Sequence, residues 1–283
     1  MLSIRQDSAD DDFQYYHYVP NLAAAVIFII LFFLSTALHF YQMIRTRTWF
    51  MIPFCIGGIF EFIGYVARAA ANGEKPNYTL GPYIIQTILL LIAPALLAAS
   101  IYMELGRIVL LVKGDQHLFI RRTWLTKIFV TGDVLSFLMQ ASGGGLMSSS
   151  DADTTNVGKS VILAGLVLQI IYFALFVLAG ALFHSRVRKQ PTEKCRSVPW
   201  EKHMYSLYIV SILIFVRSIV RVVEFAQGFN GYIMSHEVYL YIFDATLMFL
   251  ACATLNLIHP SEVAALNKGG KAARNVIFMD TVV

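Results

Sequence analysis

Residues 20–42 read PNLAAAVIFIILFFLSTALHFYQ: 23 residues without one Asp, Glu, Lys or Arg. An α-helix needs about 20 apolar residues to cross the hydrocarbon core of a bilayer, and this block meets that length. Six more blocks of the same kind follow, at 49–71, 82–104, 124–147, 160–184, 204–226 and 237–258. They are continuous apolar runs rather than alternating ten-residue segments. Since only helices and closed barrels satisfy the backbone in lipid, they read as helices. The composition agrees: 57% of the 283 residues are hydrophobic and 14% charged, against about 25% charged in a soluble domain. The expected fold is an all-α, polytopic membrane protein with a seven-transmembrane helix bundle. Residues 1–19 form an extracellular tail, 20–258 the bundle, and 259–283 a cytoplasmic tail.

Charge distribution sets the expected orientation. Arg45 and Arg47, then Arg107, Lys113, Arg121, Arg122 and Lys127, then Arg186, Arg188, Lys189, Lys194, Arg196 and Lys202, and finally Lys268, Lys271 and Arg274 fall on one side. Only Arg5, Lys75 and Lys159 fall on the other. The positive-inside rule therefore places the N-terminus outside and the C-terminus in the cytosol. The acidic start (Asp7, Asp10, Asp11, Asp12) and the length of the first block argue against a cleaved signal peptide. Asn77-Tyr78-Thr79 forms an N-glycosylation sequon in an outer loop. The segment 148–153 reads as a mobile outer loop, and the stretch after Pro260 as disordered or membrane-apposed. Cys55, Cys195 and Cys252 suggest no disulfide framework. With a net charge of +4 and no basic stripe interleaved with aromatics, a nucleic-acid partner is excluded.

Ionisable groups inside a membrane are expensive and face the bundle interior. Glu61, Tyr65 and Arg68 lie on one face of the second span at spacings of four and seven. Arg217, Arg221 and Glu224 repeat that spacing in the sixth span with the charge order reversed. Asp133 and Gln140 share a face of the fourth. Asp244, Tyr241 and Glu237 line the seventh, and Gln86 and Gln169 add polar groups to the third and fifth. Most lie between mid-membrane and the outer leaflet, where spans two, six and seven can share a charged network. Such a network either fixes helix register or lines a polar cavity for an amphipathic ligand. Pro53 and Pro94 interrupt apolar helical runs, each bending the helix and freeing a carbonyl. Gly143-Gly144-Gly145 marks a helix end or close packing. His39, His184, His203 and His259 lie near the inner face without the i, i+4 spacing of a helical zinc site, so no metal and no cofactor are expected. Neither a nucleophile motif nor a phosphate loop is present, and no enzymatic activity is expected.

The polar positions, taken in order, resemble the fungal RTA1-like family, also called the lipid-translocating exporter family. The segments that carry the resemblance begin with Tyr18-Val19-Pro20, Glu61-Phe62-Ile63-Gly64-Tyr65-Val66-Ala67-Arg68, and Gln86 followed by Ala93 to Tyr102 and Gly106-Arg107. They continue with Phe129-Val130-Thr131-Gly132-Asp133-Val134, Gln140 with the three glycines, and Gly165-Leu166 with Gln169. They end with Arg217 to Glu224, then Glu237, Tyr241, Asp244 and His259-Pro260. The resemblance covers residues 18–262. It implies a seven-helix protein of the plasma membrane or an endomembrane, linked to resistance to lipophilic toxins and to export of sphingoid long-chain bases, or to porphyrin movement. The leading reading is a transporter or facilitator of amphipathic molecules among membrane lipids: a long-chain base, a sterol-like toxin or a porphyrin. An amine head group would meet Glu61, Asp133, Glu224 or Asp244; a carboxylate or phosphate would meet Arg68, Arg217 or Arg221. The alternatives are a seven-transmembrane receptor or sensor of lipophilic ligands, for its topology and basic third inner loop, and an intramembrane metal-dependent hydrolase built on the inner histidines.

Overall fold

The structure is a computed structural model that describes residues 20–74, 79–118, 120–147, 151–228, 231–269, 272–274 and 277–279. Seven long helices run through these residues: α1 (Leu22–Thr46), α2 (Ile52–Gly73), α3 (Leu80–Leu111), α4 (Arg122–Met147), α5 (Ala152–Lys189), α6 (Trp200–Gln227) and α7 (Glu237–Leu257). Six are long and apolar enough to cross a membrane; α4 falls short by composition. Its 26 residues reach roughly 39 Å at about 1.5 Å each. Thr126, Thr131, Asp133, Ser136 and Gln140 dilute its apolar character. Ser136, Asp133 and Gln140 are buried against neighbouring helices, Thr126 is half-buried and Thr131 exposed, so most of the dilution lies on the protein-facing side. Outward surfaces are apolar, as lipid requires: Ile27, Ile30, Phe33 and Leu34 on α1, and Ile171, Leu175 and Leu178 on α5, are all exposed.

Five of the helices (α1, α3, α4, α5 and α6) exceed their apolar blocks because the helix continues into polar surroundings where hydropathy no longer reports it. α5 is the extreme case, starting at Ala152 with Asp151 as its N-cap; the Asp151 side chain accepts from the Thr154 N–H at 3.0 Å. Such a cap satisfies one of the four orphan donors of a helix start. Residues 151–153 therefore belong to a capped helix rather than a mobile loop. Residues 148–150, the N-terminal tail and the Asn77 sequon lie outside the described residues.

The stretch after Pro260 also differs from expectation. Ser261–Asn267 forms a short helix, α8, with Ser261, Glu262, Val263 and Ala264 buried. It docks at the basic end of the bundle: Asn267 Nδ2 donates to the Arg107 carbonyl at 3.0 Å, and Lys202 Nζ lies 2.5 Å from Glu262 Oε2. The strands β1 (Ala272–Arg274) and β2 (Ile277–Met279) then pair antiparallel. A buried helix of only seven residues is invisible to a hydropathy reading tuned to spans of twenty. The His203 ring and the Lys202 ammonium, against the opposing effect of burial, hold the Glu262 carboxyl down to about 2 from an ordinary 4.5. A depressed carboxyl stabilises the fold above its unfolded value and ceases to as pH falls through its folded value. Amide-exchange protection of α8 is expected to hold from neutral pH to about 4 and to decline toward pH 2, and Glu262→Gln is expected to remove that dependence.

Close packing of α4 on α5 depends on glycine. A Cβ on Gly143 would stand 2.7 Å from the Gly158 carbonyl oxygen and 2.9 Å from the Ile162 nitrogen, both backbone atoms, whereas one on Gly145 would meet nothing within 4 Å. Small residues let helix backbones approach in a membrane. Gly143→Val is expected to cost about 1–3 kcal/mol by overpacking, read as a lower unfolding temperature in detergent. Gly145→Ala should shift stability by less than about 0.5 kcal/mol.

Candidate functional site

Three helices deliver charge to one interior region, and a fourth contributes a backbone oxygen. At the end of the bundle opposite the basic loops, Arg68 of α2 lies fully buried. Its Nη2 is 2.7 Å from Glu237 Oε1 at the start of α7, and its Nε donates to Tyr241 Oη at 3.1 Å. Its guanidinium carbon lies 5.3 Å from the centre of the Tyr241 ring. The Asn21 N–H, at the entrance to α1, donates to both Glu237 oxygens at 2.8 and 3.0 Å, and Tyr241 Oη donates to the Asn21 carbonyl at 3.3 Å. Asn72 Nδ2 donates to the Pro20 carbonyl. These bonds tie α1, α2 and α7 together at their ends.

One layer deeper, Arg217 of α6 makes two short bonds. Its Nε donates to Asp244 Oδ1 at 2.6 Å and its Nη2 to the Leu90 carbonyl of α3 at 2.7 Å. That carbonyl is four residues before Pro94, which lies inside α3 and has no N–H to return the i→i−4 bond. The proline leaves an acceptor free, and the arginine takes it. Pro53, by contrast, sits in the first turn of α2, where a missing N–H is harmless, so it does not bend a helix interior. Asp244 lies in a π-helical stretch, Tyr241–Thr246. Such bulges rearrange the direction of side chains and recur at functional sites.

Arg221 Nη1 is 3.2 Å from Glu224 Oε2 within α6. Each arginine of the region therefore has its own acid: Arg68 with Glu237, Arg217 with Asp244, Arg221 with Glu224. A fourth acid, Glu61 of α2, is fully buried, and neither of its oxygens accepts a hydrogen bond among the described residues. Asp244, Arg217 and Arg221 are its charged neighbours. Around it lie further buried polar atoms without hydrogen-bond partners: Tyr65 Oη, Asp244 Oδ2 and Arg221 Nε. Aromatic rings wall this region. Tyr65 stacks on Phe32 at 5.6 Å, lies 5.6 Å from Phe28, and stands 6.2 Å from Tyr241. The arrangement is one carboxylate in excess, with spare donors and acceptors, inside an aromatic and aliphatic wall.

The remaining sequence-derived residues fall elsewhere. Asp133 accepts from Tyr102 Oη at 2.9 Å. Gln140 Nε2 donates to Ser136 Oγ at 2.8 Å and to Gln169 Oε1 at 3.3 Å, and Ser136 Oγ donates to the Gly165 carbonyl at 2.6 Å. These bonds hold α4 against α3 and α5. Gln86 is buried in α3. The four histidines do not form one site: His184 stands apart, paired with Tyr208 at 3.2 Å, whereas the His39 and His259 rings lie 6.1 Å apart, with His39 held by the Cys252 carbonyl at 3.0 Å and His203 by Glu262 at 3.2 Å. Among the described residues no group of three His, Cys, Asp or Glu is placed to hold a metal ion. The sequence reading overlooked Glu104, buried in α3, because it stood at the margin of an apolar block.

The family model described as RTA1 like protein matches residues 54–267. Among curated relatives from Saccharomyces cerevisiae, Protoporphyrin uptake protein 1 is 38% identical, with 86% of this chain and 91% of the relative covered. Protein RTA1 is also 38% identical, covering 86% and 83%. Sphingoid long-chain base transporter RSB1 is 27% identical, covering 86% and 72%. No solved structure matches the chain.

Proposed function

We propose that this chain, which belongs to the RTA1-like family of membrane proteins, moves an amphipathic molecule with a cationic head group, of the sphingoid long-chain base type, across or out of a membrane. The fold supports an integral membrane protein, and relatives named as a lipid-base transporter and a porphyrin uptake protein support a lipophilic cargo. The observation that carries the choice of head group is the one acid left over: three arginines have three acids, and Glu61 has none. Neither Glu61 oxygen has a hydrogen-bond partner among the described residues, so an ammonium arriving there would gain a charge-assisted bond that the fold itself does not supply. A sphingoid base carries its amine next to hydroxyls, and Tyr65 Oη and Asp244 Oδ2, both without hydrogen-bond partners among the described residues, offer further hydrogen bonds in the same cluster of polar atoms. The tail would lie among Phe28, Phe32 and the outward apolar surfaces.

In this reading the N-terminus faces away from the cytosol, the basic loops and residues 259–283 face it, and the plasma membrane is the site of action. Resistance to lipophilic toxins follows if the same polar cluster accepts other amine-bearing amphiphiles. A porphyrin cargo is the second reading, favoured by the name of the 38% identical relative. It would need an arginine released from its acid, and the Arg221–Glu224 pair at 3.2 Å is the longest of the three. The test is flux from proteoliposomes holding the purified chain, with a long-chain base and protoporphyrin offered separately. Faster movement of the base than through protein-free vesicles supports the proposal; movement of the porphyrin alone supports the second reading; movement of neither removes the transport function.

A further inference from the structure

A second buried carboxylate lies at the opposite end of the bundle, in a setting unlike that of Glu61. Glu104 of α3 is buried, and neither of its oxygens accepts a hydrogen bond among the described residues. Its Oε1 stands 3.9 Å from His203 Nδ1 of α6, which is also buried without a hydrogen-bond partner. The other ring nitrogen, Nε2, lies 3.2 Å from Glu262 Oε2 of α8, and Lys202 Nζ lies 2.5 Å from that same oxygen. Lys202 is about one-third exposed, with a side-chain accessibility of 31%. A line of groups therefore runs from the basic surface through Glu262 and His203 to Glu104 in the interior.

Hydrogen-bond inventory limits what this line can hold. Ionised Glu262 only accepts, so Nε2 carries a hydrogen and donates to it. In the neutral ring Nδ1 is then an acceptor facing the Glu104 carboxylate, and two acceptors gain nothing from facing each other. A single proton resolves the conflict. It sits on Glu104, which then donates toward Nδ1, or on Nδ1, giving an imidazolium between two carboxylates. The transfer requires the two atoms to close from 3.9 Å to hydrogen-bond distance; the Nδ1–H bond then breaks as the Oε1–H bond forms, Nε2 keeps its hydrogen, and the net charge of the set is unchanged. Other charged and titratable groups at this end are His39 from α1, Arg107 from α3, His259 before α8, and Arg122 from α4. Burial and the neighbouring His39 and His203 push His259 down to about 3, so it does not compete for the proton near neutrality. His39 is engaged with the Cys252 carbonyl, Arg107 lies over the Phe50 ring at 4.1 Å, and Arg122 is 3.2 Å from Asp115.

The same two helices carry both ends of the argument. On α6, His203 and Arg217 are fourteen residues apart (203 to 217), and on α3, Leu90 and Glu104 are also fourteen apart (90 to 104). The Arg217–Leu90 bond and the Glu104–His203 approach are thus two rungs of one antiparallel helix pair, separated by roughly 21 Å at about 1.5 Å per residue. Movement of α6 along α3 would alter both rungs together. We propose that Glu104, His203 and Glu262 form a proton-binding site at the basic end of the bundle, and that proton binding there is coupled through α3 and α6 to movement of the amphiphile at Glu61. This rests on the transport function proposed above and adds its energy source, a proton gradient.

Two measurements test it, both on the full chain. Infrared titration of the purified protein is expected to show a protonated-carboxyl band that disappears in Glu104→Gln and persists in Glu61→Gln. An unchanged band in Glu104→Gln would overturn the proton site without touching transport. In proteoliposomes, with a long-chain base as probe and protein-free vesicles subtracted, one unit of imposed pH gradient is expected to raise accumulation by up to about tenfold if one proton moves per molecule. Glu104→Gln and His203→Gln are expected to show equal flux with and without the gradient; the second keeps a donor toward Glu262, so it guards against a folding defect in the first. Wild-type flux that ignores the gradient sinks the coupling and leaves the transport function standing. Absence of flux under every condition sinks both.

Discussion

Arg217→Ala is expected to cost about 3–5 kcal/mol of stability, the usual range for removing one partner of a buried ion pair. Arg217 is almost wholly buried and holds two acceptors at once, Asp244 Oδ1 at 2.6 Å and the Leu90 carbonyl at 2.7 Å. Truncation leaves the acid and the carbonyl without their donor, and Pro94 cannot supply an N–H for the latter. Arg217→Lys should lie between wild type and alanine, since one ammonium on an unforked stem does not reproduce the planar, two-direction geometry of guanidinium. Adding Asp244→Asn to Arg217→Ala should recover part of the loss, because the stranded charge is removed. Unfolding in a single detergent, followed for all four chains, measures these differences. Equal stability of wild type and Arg217→Ala would mean that the α3–α6–α7 junction does not hold the bundle together.

Glu61→Gln is expected to do the reverse: little to stability and much to function. Glu61 accepts no hydrogen bond among the described residues, so the amide strands no partner. For an ammonium-bearing cargo it removes the counter-ion, and a hydrogen bond to a charged group is worth about 1.5–3 kcal/mol. At 1.4 kcal/mol per factor of ten, flux of a long-chain base at low concentration should fall by about 10- to 100-fold. A loss of flux that tracks a loss of folded protein would instead make Glu61 a packing residue.

The charged faces were legible from spacing alone. Glu61, Tyr65 and Arg68 at intervals of four and seven must share a helical face, and no such face can look at lipid; all three are buried together. The proline inside α3 was legible too, but not what it served. A backbone carbonyl has no letter in a sequence, so the Leu90–Arg217 bond is visible only once α3 lies beside α6. The π-helical stretch at Asp244 is likewise a backbone event, and residues 241–246 (Tyr-Ile-Phe-Asp-Ala-Thr) contain no glycine or proline to announce it. Asp133 lies apart from that network: its Oδ2 accepts from Tyr102 between α3 and α4, while its Oδ1 has no hydrogen-bond partner among the described residues. Glu104 and α8 escaped for a shared reason: both lie at the edge of apolar blocks, where a polar residue reads as loop until tertiary contacts bury it.

The account turns on Glu61 being the counter-charge for a cationic head group, and discrimination by charge tests it most directly. Flux of a long-chain base should be compared with that of its N-acetylated, neutral counterpart in proteoliposomes of the wild-type chain and of Glu61→Gln. The account predicts that wild type moves the amine much faster than the neutral lipid and that the variant moves the two at similar, low rates. Undiminished preference for the amine in Glu61→Gln would contradict it.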